Sequence, residues 1–256
     1  MSGPGPADAA LAFDPASAPG GWAGLPAALA RLHLPVPVGA AVRCSVAAEY
    51  PRLAPPLPDL MAGGGFLVER TRRAGGRTVV EARRDRTLPD FVGSGMRILV
   101  CGLNPSLVSA DAGFGYAGAT NRFWSVAVAA GIVTRPREPL GSLAADGVGM
   151  TDLVKRATPN ADSLLPAEYE AGAQRVRRLV AWLQPGVVLF VGLAGFRAAI
   201  ARRAVPGPQP ARFGGVPAYV MPSTSGRNAR TGPAELAGHM RDALALARSI
   251  TPTPAG

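Results

Sequence analysis

The chain has 256 residues, 48% of them hydrophobic, with 32 glycines, 26 prolines and a formal net charge of +10. That is enough apolar material for one good-sized core plus a large irregular fraction. The positive charge is almost all arginine, Lys155 being the single lysine. Such a balance suits a polyanionic partner, although Ala, Gly, Pro and Arg rise together as a composition bias would make them.

Two cysteines, Cys44 and Cys101, argue against a disulfide scaffold, and Cys101 reads as a small buried residue. His33 and His239 are far apart, and no Cys/His cluster has metal-ligand spacing. No apolar run approaches the roughly 20 residues that a membrane span needs. The N-terminus lacks the charged-then-apolar pattern of a signal peptide. The expectation is a soluble, cytoplasmic protein that uses neither membrane, metal nor cofactor.

In chain order, residues 1–87 form an Ala/Pro/Gly/Arg-rich extension without sustained periodicity, expected to be largely irregular apart from a short helix near Leu25–Leu32. Within it, "FLVERTRRAGGRTVVEARRDR" fits either a hairpin turning at Gly75-Gly76 or a helix through Thr78–Arg86. Regular patterning begins at Arg97. Ile98–Cys101 is a continuous apolar run, as in a strand buried on both faces. Asn121 can cap a helix that turns Phe123, Trp124, Ala127 and Val128 inward and stops at Gly131.

A short strand falls near Val148–Thr151. Pro166 then opens a helix with Tyr169, Ala173, Val176, Val180 and Leu183 on one face. Val187–Val191 is a second buried strand, followed by a helix near Ala194–Ala204, a third strand at Pro217–Met221 and a last helix from Pro233. Strands alternating with helices predict an α/β fold with a mainly parallel sheet covered on both faces. Ligands then bind beyond the carboxyl ends of the strands, where two loops begin, at Asn104 and at Pro222. Residues 88–250 make up this regular domain, and 251–256 a disordered tail.

Asn104 ends the first strand, and its amide can both donate to and accept from a small molecule such as water. It cannot be a strong base. An enzyme using it needs a held water more than a removed proton, which suits an oxocarbenium-like transition state in glycosidic cleavage. An Asn-Pro dipeptide by itself is an ordinary turn. The following "DAGFGYAGA" brings flexible backbone beside Phe114 and Tyr116, and Ala117 follows them. Backbone N–H groups and an aromatic face make a slot for a flat heterocycle, with Tyr116 the better stacking residue and Phe114 reading as core. In the second loop, "VMPSTSGRNART", small polar residues precede Arg227 and Arg230. Small residues let a loop reach a nucleic-acid backbone, although the same composition describes a plain surface loop.

Four ordered segments, "GLNPS" (102–106), "GFGYAGATNRFW" (113–124), "GMTDLVKRATP" (149–159) and "MPSTSGR" (221–227), resemble the uracil-DNA glycosylase superfamily. The mismatch-specific uracil and thymine-DNA glycosylase branch is the nearest in pattern, and the resemblance covers about Leu88 to Ile250. It implies a three-layer α/β/α sandwich and a monofunctional, metal-free glycosylase. Such an enzyme excises uracil, and by extension thymine or other damaged pyrimidines, from G:U or G:T mismatches in double-stranded DNA.

The same resemblance implies roles for individual residues. Asn104 positions water, Tyr116 stacks on the flipped base, backbone at Leu103 and Tyr116 reads its edge, and Phe114 and Ala117 complete the base-binding set. Thr224, Ser225, Gly226 and Arg227, with Ser223 beside them, form the wedge and phosphate contacts. Asp152 falls where the branch varies among Lys, Asn and Asp. It either acts at the sugar or is a strand-end carboxylate paired with Lys155 or Arg156. Met221 stands where the strongly uracil-specific branch has histidine, so slower chemistry is expected. Ser106 replaces a glycine common in the motif and makes the loop bulkier. No lysine lies in the loops that begin at Asn104 and Pro222, which argues against a Schiff-base step. A monomer is expected. Rival readings are a nucleoside or nucleotide hydrolase on a doubly wound sheet, and a mismatch-DNA-binding protein without catalysis.

Overall fold

A computed structural model describes residues 9–249, so the expected tail at 251–256 lies outside the described residues. Among the described residues nine strands form two sheets. The C-terminal sheet contains β5 (Ile98–Gly102), β6 (Val148–Asp152), β7 (Val187–Val191), β8 (Gly207–Pro208) and β9 (Ala218–Met221), in the order β6-β5-β7-β9-β8. All its pairings are parallel except β8 on β9.

Alternation along β5 explains the layering. Ile98 and Val100 face an apolar cluster with Phe123, Trp124 and Val126 of α4 (Phe123–Ala129) and Leu236 and Met240 of α8 (Pro233–Arg248). Leu99 and Cys101 face the opposite cluster with Val176, Leu179 and Val180 of α6 (Pro166–Leu183) and Phe196 of α7 (Leu193–Ala199). The result is the three-layer α/β/α sandwich that the pattern predicts. Ile98, Leu99 and Val100 are fully buried, and each such side chain contributes roughly 1.5–3 kcal/mol.

The expectation for residues 1–87 is corrected. A second sheet, ordered β1-β2-β4-β3, is built from β1 (Ala9–Phe13), β2 (Ala41–Ala47), β3 (Phe66–Ala74) and β4 (Arg77–Arg84). It is joined by α1 (Leu25–His33), where a short helix is predicted, and by α2 (Leu57–Gly63). The hairpin reading of residues 66–86 holds and the helix reading does not. Gly75 and Gly76 both have positive φ, 56° and 69°, as a two-residue I′ turn requires.

The period of two in β2 rests on only three buried residues, Val42, Cys44 and Val46, set among two alanines, an arginine and a serine. Such a pattern is short enough to pass for irregular chain. These side chains join Leu99, Cys101 and Leu153 in one continuous apolar cluster, so the N-terminal unit packs directly on the sandwich.

Two further helices complete the site's surroundings. α3 (Leu107–Ala112) follows the Asn104 loop, and the single turn α5 (Pro139–Gly141) precedes β6. Strand order reverses around β5, with β6 on one side and β7 on the other. The carboxyl ends of β5, β6, β7 and β9 therefore open onto one crevice.

Candidate active site

That crevice holds a cavity of about 350 Å³ lined by residues of all four strand ends, among them Leu103, Asn104, Tyr116, Asp152, Val191 and Ser223 to Arg227. At its floor, Asn104 bridges β5 and α3. Ser106 caps α3, its Oγ accepting from Ser109 N at 3.1 Å, which fixes where the loop must go. The carbonyls of Gly102 and Leu103 accept from the N–H groups of Leu153 and Val154, so the β5–β6 pairing continues past the strands.

The Asn104 amide has one orientation for a reason in proton bookkeeping. Its Nδ2 donates to Thr158 Oγ1 at 2.7 Å, Arg156 O at 3.0 Å and Pro105 O at 3.2 Å. Thr158 Oγ1 gives its only proton to Asn160 O at 2.7 Å, so towards Asn104 it can only accept. The NH₂ group must face Thr158, and Oδ1 is left without a protein donor among the described residues. An acceptor of this kind can take a proton from a bound water in a hydrogen bond.

Tyr116 forms one wall. Its backbone is left-handed, φ 61°, a conformation that costs a non-glycine residue about 1 kcal/mol or more and persists only where its surroundings enforce it. The enforcers are near. Trp124 Nε1 donates to Gly115 O at 2.9 Å, and Ala117 N donates to Ser109 Oγ at 3.2 Å. One face of the Tyr116 ring stacks on Phe123, centroids 4.0 Å apart and planes 14° apart. Phe114 turns away and packs edge-on against Trp124. The structure thus brings Leu103, Asn104 and Tyr116 together at the cavity, while Phe114 and Ala117 support the loop from outside its lining.

Asp152 ends β6, in register with Gly102. Gly102 is a necessary gap, because a Cβ there would come within 2.5 Å of Asp152 Oδ1 and 3.2 Å of the Tyr116 hydroxyl. The carboxylate has no hydrogen-bond partner among the described residues. Burial pushes it up to about 6, with Lys155 and Arg175 pulling against that and Asp90 adding to it. Neither Lys155 nor Arg156 pairs with it. Lys155 binds Asp90 and Arg156 binds Glu168.

The second loop closes the cavity from β9. Thr224 is buried, so it anchors the loop and does not project from it. Its Oγ1 donates to Asn121 Oδ1 at 2.9 Å and its carbonyl accepts from Arg122 N at 3.0 Å. The Arg122 guanidinium donates to Thr231 O and Asn228 O, clamping the loop's far side. A Cβ on Gly226 would stand 2.5 Å from Thr120 Oγ1, so the two loops touch where only glycine fits. Gly226 and Arg227 are exposed, and Arg227 forms no ion pair among the described residues. Met221 is fully buried in the core, so it brings no polar group to the site.

Sequence reasoning missed the roles of Thr158, Asn160, Thr120 and Arg122. All except Asn160 lie inside the quoted motifs, yet their partners are distant in the chain. Among the described residues no cluster of three or more His, Cys, Asp or Glu could hold a metal, and no helix is long and apolar enough to cross a membrane.

A mainly parallel sheet with an amide-floored, aromatic-walled cavity at its carboxyl edge, roofed by a small-residue loop ending in an exposed arginine, defines an α/β protein with a cleft where such sheets bind ligands. Residues 89–245 match the model of the Uracil DNA glycosylase superfamily, and the chain belongs to that family of DNA N-glycosylases. It is also similar to a candidate uracil DNA glycosylase from Methanosarcina acetivorans solved by solution NMR. That likeness has 22% identity and a TM-score of 0.43, and it covers 61% of this chain and 96% of that one. The N-terminal sheet lies outside the family match.

Proposed function

We propose that this protein is a monomeric, monofunctional glycosylase that flips uracil, and by extension thymine or another damaged pyrimidine, out of a guanine mismatch in double-stranded DNA and hydrolyses its glycosidic bond. The base enters the cavity, its face against the open side of Tyr116. Its carbonyls accept from backbone N–H groups of Leu103 and Tyr116, which have no acceptor in the protein among the described residues. The bond between C1′ and the base nitrogen breaks with its electron pair leaving on the base. Water on Asn104 Oδ1 then bonds to C1′ as positive charge develops there. Its proton passes to the Asp152 carboxylate or to solvent, and the products are the free base and an abasic site.

The observation that supports this reading best is the Asn104 amide. Its nitrogen is fully engaged and its oxygen left open, which suits holding water and little else. Flipping costs a few kcal/mol, least for a weakly paired base, so a mismatch favours entry. The exposed Gly226–Arg227 tip fills the gap left in the duplex and offsets lost stacking. Met221 at the β9 end offers no hydrogen-bond donor to the departing anion from that position, and slow turnover follows. The proposed setting is the cytoplasm, and the +10 charge fits DNA as the partner.

The test is incubation of the full chain with labelled duplexes carrying G–U, A–U and G–T pairs and with single-stranded uracil, followed by alkaline cleavage of abasic sites. Fastest cleavage of the G–U duplex is expected. Equal cleavage of A–U would remove mismatch preference from the proposal. Binding without cleavage in every lane would favour a non-catalytic mismatch binder. Activity on free nucleosides, insensitive to salt, would favour the hydrolase, since DNA binding weakens steeply with salt.

A further inference from the structure

Behind Asp152 lies a buried ion cluster. Asp90 binds Arg175 Nη1 at 2.5 Å and Lys155 Nζ at 3.0 Å, and these three side chains are 4, 10 and 12% exposed. Thr151 Oγ1 donates to Asp90 Oδ1 at 2.7 Å, and Arg175 Nη2 donates to the Asp152 carbonyl at 2.7 Å. The N-terminal unit seals this cluster. Asp90 N donates to Gly63 O at 2.6 Å, and a Cβ at Gly63 would collide with Asp90 Oδ2 and crowd Arg175 Nη1. The Thr87 hydroxyl donates to the Lys155 carbonyl.

A buried ion cluster is a poor device for stability alone, because desolvation consumes most of the Coulombic gain. We infer that Asp90, Lys155 and Arg175, capped by the end of α2, are positioning residues for Asp152. Arg175 fixes the end of β6 by its carbonyl, and the surplus of two cations over one carboxylate favours the ionised form of Asp152. The N-terminal unit, through the end of α2 and Thr87, is then part of the site's construction although it lies outside the family match. This rests on the proposed reaction only in supposing that ionised Asp152 takes part.

The groups facing Asp152 from other elements are the Tyr116 phenol and the Cys101 thiol. Burial pushes both well above their ordinary ranges, so both are neutral near pH 7. Charge control of Asp152 therefore falls to the cluster, in which Lys155 is the member most open to solvent and safest to replace.

The test is carboxyl carbon NMR titration of Asp152 in the full chain, its signal assigned by loss in Asp152→Asn, beside single-turnover rates across pH. The midpoint expected for the wild type is about 6. Lys155→Gln should raise it by about half a pH unit or more, as loss of a nearby opposite charge does, and Lys155→Arg should restore it. The acid limb of the rate profile should move with it. A folded Lys155→Gln protein whose Asp152 midpoint does not move overturns the inference. A moved midpoint with an unmoved rate profile leaves the cluster's role standing and removes Asp152 from the proposed reaction. If Lys155→Gln does not fold, Gly63→Ala takes its place: it crowds the cluster without changing any charge, and an unchanged midpoint there overturns the inference equally.

Discussion

The two loops that meet over the cavity are built on opposite principles. Around Asn104 the loop is held at many points, Nδ2 by three acceptors, Ser109 by Ser106 and Ala117, and Gly115 by Trp124, which leaves Asn104 Oδ1 open but fixed in place. The second loop is held at its root, through Thr224, Asn228 and Thr231, and where Gly226 meets Thr120, while the Arg227 side chain forms no hydrogen bond or ion pair among the described residues and is exposed. The difference separates two tasks. Chemistry needs groups held in place before the substrate arrives. Insertion into a duplex needs a tip that can settle against whatever gap the flipped base leaves.

If that division is right, the first loop governs rate and the second governs binding. Asn104→Ala should lower single-turnover excision by about two to four decades, the range for a positioned catalytic group, with duplex affinity unchanged in a titration. Lost affinity alongside lost rate would break the division. Thr158→Val removes the acceptor that orients the amide. It should cost about one to two decades in kcat with KM little altered, as small misplacements do, and Thr158→Ser should recover most of that.

Asp152→Asn should cost about one decade, less than a principal acid or base, and abolish the acid limb near pH 6. Its stability effect has the opposite sign. The wild-type carboxyl is raised from 3.8 to about 6 on folding, so its contribution is fully present below pH 3.8 and lost as pH rises through about 6. The variant should match the wild type in Tm at low pH and exceed it above pH 6. Equal Tm at every pH would contradict the burial of this carboxyl.

Arg227→Ala should have the smallest effect. It should weaken mismatched duplex a few-fold and single strands less, with a salt slope shallower by about 1. Equal losses on both substrates would remove the wedge role.

The sandwich was legible because its strands are unbroken apolar runs and its helices carry clear three-and-four spacing, as in Val187–Val191 and Pro166–Leu183. Asn104 and Tyr116 could be singled out because each sits next to a strand end or between small residues. Thr158 could not, since its meaning depends on a hydrogen bond across 54 positions of chain. Asp90 and Arg175, 85 positions apart, were invisible for the same reason. Thr224 lies in the motif but faces inward, a distinction that composition cannot make. The N-terminal sheet escaped because its β1–β2 pairing is parallel across a helix and the inward residues of β2, Val42, Cys44 and Val46, are small.

The most direct measurement is excision from a G–U duplex in ¹⁸O-labelled water, with free uracil and the abasic sugar analysed by mass spectrometry for the wild type and Asn104→Ala. Free uracil together with one labelled oxygen at C1′, both nearly absent in the variant, is the predicted result. Uracil released equally by both proteins would show that water held at Asn104 is not the nucleophile's anchor.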